Sequence, residues 1–118
     1  MTHRQLTEVA DDVWVATSRK DSTTSTVIVN AGRALVVDPA WEPDEMSGLA
    51  AELADRHWQV TAGFSTHAHH DHLLWHHDLG VVPRWASARS CALVAEHHDD
   101  LLAVLGDWPW PESFGRVS

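Results

Sequence analysis

The chain has 118 residues, 44% of them hydrophobic and 21% charged, which suits one small domain around a single core. A formal charge of −9 leaves no basic patch for a phosphate backbone or an anionic membrane, so neither partner is expected, while a divalent cation matches the sign. The single cysteine, Cys91, forbids an internal disulfide, and with no apolar leader or membrane-length run the chain reads as cytoplasmic.

The first third alternates like β structure. In "DVWVATS" (12–18) both faces carry apolar groups, and "STVIVNAGRALVVD" (25–38) holds two β-branched runs. Asn30-Ala31-Gly32-Arg33 between them predicts a short hairpin, with Gly32 free to take a positive φ. "RKDSTTS" (19–25) is a polar loop. Asp38-Pro39 ends the third strand, because proline lacks the donor a ladder needs.

A helix should follow. Pro43 stands near its start, Asp44 and Glu45 suit the first turn, and Met46, Leu49, Ala50 and Leu53 recur at helical spacing. "QVTAGFST" (59–66) reads as a buried strand, and "LLW" (73–75) as the start of a helix. In "LGVVPRWAS" (79–87), Pro83 implies an edge strand or a bulge. Ser87 is the expected N-cap of a second long helix, with Gly106 just past its end and Cys91, Val94, His98, Leu101, Leu102 and Leu105 on one face. Residues 107–118 read as an irregular tail whose "GRVS" would begin another strand. The order implies an α/β chain of the layered α+β kind, with helices packed on one side of a sheet.

Between strand and "LLW" lies the densest chemistry: "FSTHAHHDHLLWHH" (64–77) holds six of the ten histidines. His67, His69, Asp71 and His72 form an H-x-H-x-D-H pattern. Histidines two apart at a strand end leave the same face and can grip one ion together. Asp71 and His72, just beyond, can be aimed by a turn at a second. Imidazole and carboxylate suit Zn²⁺, with Fe or Mn as alternatives. A diffuse His-rich metal buffer, or a chance product of a His-rich composition, would explain the same letters.

"STHAHHDH" resembles the second signature of the metallo-β-lactamase-fold metallohydrolases, and "ALVVDPA" resembles their first, an apolar strand ending in an aspartate. The resemblance implies the N-terminal half of an αββα sandwich, a mixed sheet with helices on one face, spanning 1–118 as one truncated domain. By position, His67 and His69 would ligate the first of two Zn²⁺ ions per complete site. Asp71 and His72 would ligate the second, Asp71 also acting in catalysis. Asp38 would steady the ligand loop from behind. It implies a hydrolase in which a metal-activated hydroxide attacks a small-molecule ester, thioester or lactone. The family's third histidine, bridging aspartate and final histidine have no assigned counterpart after His72. The alternative is therefore a non-catalytic fragment holding half of the binuclear site. The open sheet face would be covered by the missing C-terminal half or by a second copy in a homodimer.

Other residues read more plainly. His76 and His77 are expected on solvated helix positions, His97 at the surface, and His98 half-buried. Trp14, Trp58, Trp85 and Cys91 read as packing residues, while Trp41 and Trp75 are candidates to wall a substrate pocket. "GFSTH" is no nucleophile elbow, since His67 replaces the closing glycine.

Overall fold

The computed structural model describes residues 6–19, 22–39, 42–69, 72–105 and 114–118. Among these residues six strands form one mixed sheet in chain order: β1 (Thr7–Ala10), β2 (Val13–Thr17), β3 (Thr24–Asn30), β4 (Arg33–Val37), β5 (Gln59–Phe64) and β6 (Arg84–Trp85). β1 to β4 pair antiparallel, whereas β4, β5 and β6 run parallel. Helix α1 (Pro43–Asp55) makes the crossover from β4 to β5, and α2 (Ala88–Leu105) follows β6. β1, whose residues are all exposed, has no apolar alternation to announce it.

The β3–β4 hairpin turns through two residues of positive φ, Ala31 at 52° and Gly32 at 78°. Two left-handed residues match the right-handed twist of the flanking strands. At the start of α1, Glu45 is not a solvated acid: it is buried, and its carboxylate accepts from the Glu42 backbone (3.1 Å), the Ser18 hydroxyl (2.7 Å) and the Arg19 backbone (3.1 Å). The helix entry is thus tied to the loop after β2. Ser87 caps α2 as expected, its hydroxyl accepting from the Ser90 N–H at 3.1 Å. Gly106, the Leu105 side chain and Trp41 lie outside the described residues.

Alternation decides which sheet face is buried. Trp14, Val27, Val36 and Gly63 stand in register, as do Val29, Ala34 and Val60, and onto these rows pack Leu49 and Leu53 of α1 with Trp75 and Leu79. A second cluster joins Met46, Leu73, Leu74, Val94 and Phe114, with Leu101 and Leu102 of α2 against it. Both helices therefore lie on one side. The other face carries the rows Val13–Ile28–Leu35–Ala62 and Val15–Thr26–Val37–Phe64–Trp85. These positions are half-buried at best, and Ile28 is 41% and Trp85 51% exposed. Trp85 is thus not the packing residue its sequence context suggested; Trp14 and Trp58 do pack, at 5.5 Å, with Arg56 over both rings.

Two expectations fail after the histidine motif. Leu73, Leu74 and Trp75 start no helix; they form a buried irregular stretch leading into a 3-10 turn, His77–Leu79. Their three apolar side chains point into two different clusters, which no single helix face could serve. His76 is accordingly buried at 3% exposure, while His77 is exposed. Of the tail, Phe114 is fully buried, and Ser118 exchanges backbone hydrogen bonds with Ala86 (3.1 Å) and Arg84 (2.9 Å) beside β6. Among the described residues no helix is long and apolar enough to cross a membrane.

Candidate metal centre

The parallel strands β4 and β5 finish side by side, and loops leaving the carboxyl ends of parallel strands are where α/β sheets gather functional groups. Asp38 follows β4, its N–H bonded to the Phe64 carbonyl of β5 at 2.9 Å. Its φ of 51° is left-handed, a conformation that Asp tolerates better than most residues. That backbone turn swings the carboxylate across to the loop after β5. There Oδ1 accepts the Thr66 N–H at 2.8 Å and Oδ2 the Thr66 hydroxyl at 2.6 Å.

Around this bridge stand three of the four ligands expected from the motif. The rings of His67 and His72 lie 3.9 Å apart between centroids, those of His67 and His69 4.6 Å, and those of His69 and His72 6.3 Å. His67 and His69 are exposed, and His72 is half-buried. The His72 N–H donates to the His69 carbonyl at 3.0 Å. His72 Nδ1 approaches Asp38 Oδ2 at 2.9 Å, close but off the axis of a full hydrogen bond. The Thr66 hydroxyl also meets His67 Nδ1 at 2.9 Å. Asp71 lies outside the described residues, as does His70.

The chemistry of this donor set fits a divalent cation. Two exposed imidazoles and a half-buried one, with the buried Asp38 carboxylate 2.9 Å from His72, are donors of the types a divalent cation takes. Thr66 was not singled out from the sequence. Its only signal was position, a hydroxyl residue directly before the first motif histidine.

Among the described residues, the group whose ligand atoms all lie within 4.8 Å of one another is His76, His77 and Asp78, a few residues on. Their contacts are also those of a capped turn. His76 Nδ1 accepts the Asp78 N–H at 2.9 Å, and His77 Nε2 lies 3.0 Å from Asp78 Oδ1. Burial holds the His76 ring below its ordinary pKa against the opposing pull of Asp78, which favours the neutral form. Nearby, Trp75, His77, Gly80, Val81, Val82, Arg84 and Arg116 line a cavity of about 340 Å³. Arg84 is lowered to about 10 by burial, with Arg116 adding repulsion, and donates to the Leu73 carbonyl at 3.1 Å. On α2, His97 interrupts the helical backbone, and His98 contacts the Phe114 carbonyl at 3.0 Å. Half-buried Cys91 faces the Ala86 carbonyl.

A mixed sheet with helices on one side and a histidine cluster after its first parallel strands defines part of a layered α/β domain. Comparison with known proteins sharpens the class. The model of the metallo-beta-lactamase superfamily matches residues 19–111, and the chain belongs to that superfamily.

Among solved structures, DIM-1 metallo-beta-lactamase superposes with a TM-score of 0.68 at 19% identity, covering 81% of this chain and 47% of that one. The enzyme from Erythrobacter litoralis, solved with beta-mercaptoethanol in its active site, gives 0.65 at 21%, covering 83% and 47%. FIM-1 from Pseudomonas aeruginosa, in its mono-zinc form, gives 0.61 at 16%, covering 82% and 47%. At such identities the likeness is one of fold. The chain spans about half the length of the structures it matches and so presents a partial domain. None of the curated proteins compared with it matches.

Proposed function

We propose that this chain is the N-terminal portion of a metal-dependent hydrolase acting on a small ester, thioester or lactone. The observation that carries the reading is the meeting of His67, His69 and His72 at the ends of β4 and β5, with Asp38 behind them. Superfamily membership supports it. His67 and His69 would hold one ion, and Asp71 and His72 a second beside it. Zn²⁺ suits these donors, with Fe or Mn as alternatives. When bound, the ion supplies Lewis acidity and brings the pKa of a coordinated water towards neutrality. The chain's own share is to orient: Asp38 holds the ligand loop, and Asp71 would position the attacking oxygen.

The apolar rows on the far side of the sheet fit a second layer. A C-terminal half of the fold is the favoured cover, because the chain matches only about half of its structural neighbours. A second copy is the other candidate, and light scattering on the purified chain separates them: a monomer excludes the homodimer. A non-catalytic half-site is the competing reading of function, favoured by the same half-length match. Metal analysis with an esterase assay decides. About two tightly held ions per chain with turnover support the hydrolase, whereas one loosely held ion without turnover supports the half-site.

A further inference from the structure

Among the described residues, the hydrogen-bond donors between Asp38 and His67 point to one assignment. An ionised carboxylate has no proton to give. At 2.6 Å, then, the Thr66 hydroxyl donates to Asp38 Oδ2. That contact uses the only hydroxyl proton Thr66 has. The same oxygen stands 2.9 Å from His67 Nδ1, and there it can only accept. On that assignment Nδ1 carries the hydrogen, which puts the lone pair of the neutral ring on Nε2.

We propose that Thr66 is a positioning residue: relayed from Asp38, its hydroxyl fixes His67 as the Nδ1–H tautomer, so that Nε2 is the atom His67 presents to a cation. Asp38 anchors the relay because it is buried, at 5% exposure, and doubly bonded to Thr66. The same Oδ2 lies 2.9 Å from His72 Nδ1 and favours a proton there through its charge, although that contact is poorly aligned. One carboxylate thereby biases two imidazoles of the cluster towards the same tautomer, one through a hydroxyl and one directly. An exposed imidazole without such a partner interchanges tautomers, and only the fraction with a bare nitrogen towards the ion is competent to bind. Removing the relay should thus weaken binding without removing a ligand.

The consequence for metal binding rests on the reading of His67 as a ligand; the tautomer does not. Long-range ¹H–¹⁵N correlation spectra of the metal-free chain at alkaline pH distinguish the protonated from the bare nitrogen of each ring. His67 should be protonated at Nδ1 in the wild type and in Thr66→Ser. It should shift towards Nε2–H in Thr66→Val and Thr66→Ala, while the His72 spectrum stays as it was. Zn²⁺ affinity, read by competition with a chromophoric chelator, should fall about 10- to 100-fold in the two hydroxyl-free variants and little in Thr66→Ser.

A wild-type His67 protonated at Nε2 overturns the proposal before any variant is made. So does an Nδ1–H signal that survives loss of the hydroxyl. A wild-type chain with Nδ1–H at His67 that binds no zinc upholds the relay and sinks the metal reading instead.

Discussion

The Trp75 indole occupies the space where Gly63 would carry a side chain: a Cβ at Gly63 would stand 2.5 Å from Trp75 Cζ3 and 3.2 Å from Arg84 Cγ. Trp75 is held there by its Nε1 donating to the Gly80 carbonyl at 2.9 Å and by the Arg84 guanidinium 4.9 Å from its ring. The bare backbone of β5 thus lets the segment after the histidine motif lie flush on the sheet.

Gly63→Ala should therefore displace Trp75 and lower stability by about 1–3 kcal/mol, the usual cost of overpacking. Urea denaturation measures it. Unchanged stability would mean that Trp75 is free to move aside.

The proposed centre makes a sharper demand on His69. His69→Ala should abolish tight zinc binding, whereas His77→Ala, whose ring is 65% exposed beside Asp78, should leave it intact. Equal, partial losses in both variants, measured by titration calorimetry, would point to a diffuse His-rich buffer.

Glu45 links α1 to the loop after β2. Glu45→Gln keeps the size but replaces charge-assisted bonds to buried Ser18 and two backbone amides. The expected cost is on the order of 2 kcal/mol. Denaturant midpoints check it, and a neutral result would show that the amide makes equivalent bonds.

His76 sets a pH dependence. Burial lowers its folded pKa below the ordinary 6.5, so on acidification the unfolded chain takes up this proton first. The contribution to stability is complete above about pH 6.5 and is lost as pH falls towards the folded pKa. His76→Asn retains a side-chain acceptor for the Asp78 N–H and does not titrate. Its stability should fall less steeply with acid than that of the wild type; parallel profiles would exclude His76 as a source.

Much of this molecule is written in short-range pattern. β-branched runs around Ala31-Gly32 mark a hairpin, helical spacing after Pro43 marks α1, and Ser87 marks the start of α2; each was legible because propensity and periodicity act within a few residues. The H-x-H-x-D-H spacing is likewise local, and on it rests the proposal of a metal site.

Long-range contacts decided the remainder. "LLW" has the composition of a helix start, yet Leu73 and Leu74 sink into one cluster and Trp75 into another, so tertiary packing overrode local preference. The same packing buried His76. Thr66 looked like an ordinary strand-end residue until β4 and β5 aligned in parallel and placed it under Asp38, across 28 positions of chain. Residue identity alone determined which groups were available and at what spacing; which nitrogen meets which oxygen was settled only when strands distant in the chain came into register, because hydrogen bonds act over a few ångströms and sequence carries no distances.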